Sequence, residues 1–167
     1  MKILKLLKRE SGITMLEIMI TVVLIGILSS MATPRFLQFI GRMKGRADVS
    51  NNISYLRSAR TFAISNGVPT GVYFDIGNNQ VYVFQDDNGD ENYSDGTDTV
   101  VIGPEELNGS TNINYCSFEN NVVIFETDGS TDESGTIEFG TCDDSYRQYT
   151  VSILAATGKV SMTIQNY

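Results

Sequence analysis

The sequence predicts an α+β protein: one long N-terminal α-helix, membrane-spanning in its first half, followed by a C-terminal antiparallel β-sheet against which the second half of the helix packs. Three observations predict it. The run from Ile13 to Pro34 carries a single charge, apolar residues then recur at helical spacing as far as Ala63, and beyond Asn66 the pattern changes to short alternating segments separated by Gly, Asn and Asp.

Taking the membrane segment first, the 22 residues from Ile13 to Pro34 would extend about 33 Å at the helical rise, enough for a hydrocarbon core of about 30 Å. A secretory signal peptide has a shorter apolar region that ends in a small-residue cleavage site, for which Ser29-Ser30-Met31-Ala32 is the candidate here. Residues 1–12 form a leader carrying Lys2, Lys5, Lys8 and Arg9. The one charge in the span is Glu17. A carboxylate at mid-bilayer costs about 2.5–3.5 kcal/mol, so such a residue is usually functional or partnered, the alternative being that it snorkels to the headgroups.

The run Gly12-Ile13-Thr14-Met15-Leu16-Glu17 resembles the prepilin-type cleavage and methylation motif of type IV pilins and type II secretion pseudopilins. The resemblance implies cleavage after Gly12 on the cytoplasmic side by prepilin peptidase, N-methylation of Ile13 where the family usually has Phe, and retention of the apolar helix. It implies for Glu17 an assembly role, attracting the free α-amino group of a neighbouring subunit and so setting axial register. Orientation rests on this motif, because Arg35, Arg42, Lys44 and Arg46 beyond the span balance the basic leader. Gly26 and Pro34 match positions where pilin helices bend or loosen.

Past Pro34, Phe36, Phe39, Ile40, Met43, Ala47, Ile53, Leu56, Ala59 and Ala63 form the helical stripe, which stops at Asn66-Gly67-Val68-Pro69. A single helix over residues 13–65 would be about 80 Å long, beyond the usual globular length. Strands are predicted over Thr70–Ile76, Gln80–Gln85, Thr99–Ile102, Val122–Glu126, Thr136–Phe139, Tyr149–Ala155 and Lys159–Gln165, with hairpins at Gly77-Asn78-Asn79 and Thr157-Gly158. The succession of helix stop, paired strands, Phe125-Glu126-Thr127-Asp128-Gly129-Ser130, Gly135-Thr136-Ile137-Glu138-Phe139 and the closing hairpin is similar to the H-type pseudopilins (GspH) and FimT-like minor pilins. The resemblance divides the chain into a leader (1–12), a transmembrane half-helix (13–34), an amphipathic half-helix (35–66) and an acidic β-sheet head (67–167), the pilin fold.

Charge separates these parts. Of a formal net charge of −8, residues 1–60 carry ten Lys/Arg against three Asp/Glu, and residues 61–167 two against seventeen. Such an acidic head repels phosphates, so DNA is disfavoured as a partner. Histidine is absent, which removes the commonest general base and metal ligand, and no motif positions the carboxylates for hydrolysis. No enzyme activity and no cofactor are expected.

Two features remain. Cys116 and Cys142 match neither a zinc site nor a Cys-x-x-Cys pair, which leaves a single disulfide or two buried thiols; a bridge would add roughly 3–4 kcal/mol. In the loop Asp86–Asp98, Asp86, Asn88 and Asp90 alternate as calcium ligands do, with Asp95 and Asp98 as further candidates. Glu91 stands where an EF-hand needs glycine and the twelfth position lacks glutamate, so a solvated hairpin loop is the default.

The function implied is that of a structural subunit of a type II secretion pseudopilus or type IV pilus, single-pass in the bacterial inner membrane with its head in the periplasm. Its partners would be other pilins or pseudopilins, prepilin peptidase, the inner-membrane assembly platform and the lipid bilayer. The alternative is a ligand- or substrate-binding tip subunit of the same filament.

Overall fold

The computed structural model describes residues 13–109, 111–141 and 147–166. The chain forms two compact units, Met1–Leu37 and Gln38–Tyr167, and the helix α1 (Met15–Asn66) contributes to both.

In the first unit the helix starts because Thr14 caps it. Its Oγ1 accepts the Glu17 backbone N–H at 3.2 Å, the Thr-x-x-Glu spacing of a capping box. Pro34 lies inside the helix and lacks the N–H that would bond the Ser30 carbonyl. Around it, Ser30 and Thr33 turn their hydroxyls onto the carbonyls of Ile27 and Ser29, each at 2.7 Å. Large apolar side chains cover this unit, and each stays between 47% (Ile18) and 82% (Met15) exposed. Inside the unit nothing covers them.

The second unit contains the core. Val49, Ile53, Leu56, Ala59 and Ala63 recur at three- and four-residue steps on α1, and all are buried. Eight strands follow: β1 (Thr70–Asp75), β2 (Gln80–Gln85), β3 (Thr99–Glu106), β4 (Thr111–Cys116), β5 (Val122–Phe125), β6 (Gly135–Thr141), β7 (Arg147–Leu154) and β8 (Lys159–Asn166). They form two antiparallel four-stranded sheets, ordered β3-β2-β1-β5 and β4-β6-β7-β8. Val72, Phe74, Val83 and Phe125 of the first sheet and Ile137, Phe139, Tyr149 and Val151 of the second join the helical stripe in one cluster. Phe74 and Phe139 meet edge to face across the sheets, with ring centroids 6.4 Å apart.

At Gly45 the helix lies against the second sheet, where a Cβ would lie 2.7 Å from Thr141 Cγ2. A side chain there would require Thr141 to shift. Pro104 is accommodated because β3 is an edge strand.

The structure corrects the expectation of a single sheet. Strand β4 has no counterpart among the predicted strands, and its pairing with β6 creates the second sheet. Its sequence, Thr-Asn-Ile-Asn-Tyr-Cys, contains two poor strand formers and buries only Thr111, Ile113 and Cys116. What holds it is a side chain distant in sequence. Asn79, in the β1–β2 turn, donates Nδ2 to the Thr111 carbonyl at 2.7 Å and accepts the Ile113 N–H on Oδ1 at 3.0 Å.

Candidate functional site

The N-terminal site is built on the first helical turn. Ile13 is 72% exposed, and Glu17 stands exposed in the first turn, where a negative charge is favoured by the helix dipole. Among the described residues the Glu17 carboxylate has no hydrogen-bond or ion-pair partner. Gly12 and the leader lie outside the described residues. Thr14 is the residue of this turn that the sequence reading missed, although its spacing to Glu17 was visible. By length and composition, α1 is able to cross a membrane.

The acidic loop joins β2 to β3 as a hairpin connection, and three of its carboxylates, Asp86, Asp90 and Asp98, accept from its own backbone. Asp86, 5% exposed, accepts the N–H groups of Gly89 (2.7 Å) and Glu91 (3.0 Å). Asp90 accepts from Asn92 N (2.9 Å) and Asn88 Nδ2 (2.8 Å), and Asp98 from Ser94 N (2.6 Å). Of the calcium candidates, Asp86, Asn88, Asp90 and Asp98 are hydrogen-bonded within the loop, and Asp95 is exposed. Among the described residues, no group of three or more acidic or Cys side chains is placed to hold a metal. The alternation that suggested ligands is that of Asx turns, in which Asp and Asn bond N–H groups two or three residues on.

Cys116 is buried, and that burial pushes its thiol up to about 11. Cys142 lies outside the described residues.

Comparison with known proteins agrees with this geometry. Residues 7–33 match the prokaryotic N-terminal methylation motif, and residues 50–157 match the family described as type II transport protein GspH. Among solved structures the chain is similar to the minor pseudopilin EpsH from the type 2 secretion system of Vibrio cholerae, with 12% identity and a TM-score of 0.55, over 72% of this chain and 96% of that one. At that identity the likeness is one of fold. None of the curated proteins compared matches the chain. The GspH match begins within the buried part of α1 and runs through β7, so it covers the elements that build the core. The chain therefore belongs to the type II transport protein GspH family, as a minor pseudopilin and structural subunit.

Proposed function

We propose that this chain is inserted in the bacterial inner membrane through residues 13–34 with its head in the periplasm, and is cut after Gly12 by prepilin peptidase and methylated on Ile13. An inner-membrane platform then draws it into a pseudopilus beside other pseudopilins. It catalyses no reaction itself. The carrying observation is Glu17: an exposed carboxylate, unpartnered among the described residues, in the first turn of a helix whose residues up to Pro34 are otherwise uncharged and unburied. In low dielectric such a charge is costly until a cation meets it, and cleavage after Gly12 would create an α-amino group four residues away in sequence on every subunit. A neighbour's amine then neutralises Glu17 only at one axial offset. The GspH match favours this structural role over a ligand-binding tip subunit.

The test is Glu17→Ala in the native secretion background. Leader cleavage should proceed as in the wild type while recovery in sheared filaments falls at least about tenfold, as loss of a desolvated charge pair worth 1.4 kcal/mol or more would give. A Gly12 substitution, retaining the leader, serves as the processing control. Normal incorporation of the Glu17→Ala protein would remove the register role.

A further inference from the structure

On the first sheet, Val72, Phe74, Val81 and Val83 face the core, so the out-of-phase Tyr73 and Tyr82 emerge on the opposite face as directly paired residues. The β2–β3 loop folds Tyr93 over both, with ring centroids 5.2 and 5.1 Å away and the rings stacked. These tyrosines, with Asp75 and Asp95, line a groove of about 710 Å³. It shares Asn92, Asn120 and Val122 with a second groove of about 400 Å³, floored by Phe118 and Ile124 and rimmed by Glu91, Glu119, Asp132 and Glu133. Among the described residues, no Lys or Arg lines either groove. Near Tyr93, Asp98 is only 8% exposed, and among the described residues its Oδ1 has no hydrogen-bond partner.

Aromatic faces beside carboxylates that lack counter-charges form a surface for cations, which gain from the ring quadrupole and from the acidic field together. We propose that this joined groove docks a basic, aromatic-bearing helical segment of a neighbouring filament subunit, of the kind that residues 35–46 present in this chain. That segment carries Arg35, Arg42, Lys44 and Arg46 and no acid, with Phe36 and Phe39 61% and 54% exposed between them. Guanidinium groups lie against the tyrosine faces, and the phenyl rings cover Phe118 and Ile124. The proposal rests on the filament-subunit reading and adds a contact made by the head to the one made by Glu17.

The experiment uses the full chain in non-ionic detergent and a fluorescently labelled peptide of residues 35–46, followed by anisotropy. Saturable binding is expected with a Kd on the order of 0.1 mM, weakening at least about tenfold between 50 and 500 mM NaCl. A variant with Glu119→Lys and Asp132→Lys, both exposed and outside the core, should lose at least about tenfold. Tyr93→Phe should bind as the wild type and Tyr93→Ala more weakly, and a peptide with its four basic residues replaced by Gln should not bind. Equal signals from wild type and charge-reversed protein, as partition into micelles would produce, would overturn the proposal. So would equal binding of the Gln peptide. The Glu17→Ala protein should bind the peptide normally. Absent peptide binding with impaired Glu17→Ala incorporation thus removes the groove alone, and the converse pair of results removes the register role alone.

Discussion

Glu126, half-buried at the end of β5, is surrounded by like charges. Burial first, then the charges of Asp132, Glu91, Asp128 and Asp86, push its carboxyl above the usual range, so the folded state favours the protonated form. Below the ordinary glutamate value of about 4.3 the group is protonated in both states and does not affect stability. As pH rises through the raised folded value, ionisation costs the folded protein more than the unfolded one. Glu126→Gln should therefore raise the melting temperature at pH 7, by about 1–3 °C given its partial solvation, with the gap closing below about pH 4. Scanning calorimetry at the two pH values checks this; an unchanged gap at acid pH would show that the effect is not electrostatic. Single residues were unevenly legible in the sequence. The prepilin motif could be read because its chemistry is local, whereas the hydrogen-bond partners of the loop carboxylates could not, because Asp and Asn alternate in Asx turns as they do in metal loops.

At the scale of elements, the connections hold the second unit together as much as the strands do. The β7–β8 turn reverses at Gly158, in the left-handed conformation with φ 56°, so close to the 126–130 turn that a Cβ would sit 2.2 Å from the Gly129 carbonyl oxygen. That same oxygen accepts Arg60 Nε from α1 at 2.8 Å. One helix and two turns therefore meet at one atom. Gly158→Ala combines left-handed strain, about 1–2 kcal/mol, with this clash, and should lower the melting temperature by roughly 4–8 °C. Gly89→Ala has φ 71° but open space around its Cβ, so it should show the strain alone, about half as much. Thermal melts of the two variants decide it, and equal losses would mean that the approach to Gly129 contributes nothing. The closing hairpin was legible from Thr157-Gly158, and the five other predicted strands came from alternation and turn residues. β4 was not, because its stability comes from Asn79 and from β6, neither of which is near it in sequence.

At the scale of the whole molecule, the two units solve different problems with one helix. Every residue of the buried cluster lies at or beyond Val49, while the large apolar side chains before Gln38 stay at least 47% exposed, a surface suited to lipid or to other helices and not to water. Among the described residues, the buried cluster thus takes no member from the first unit. A chain beginning at Gln38 keeps every buried residue of α1, both sheets and the Arg60–Gly129 contact. It should remain soluble without detergent and unfold in one cooperative transition, with near-ultraviolet and far-ultraviolet dichroism melting together. The full chain should require detergent, and its head should melt within a few degrees of the truncated one, since the excised residues bury none of the core. A truncated chain that aggregates, or that loses its near-ultraviolet signal well before its far-ultraviolet signal, would show that packing in the head depends on residues before Gln38.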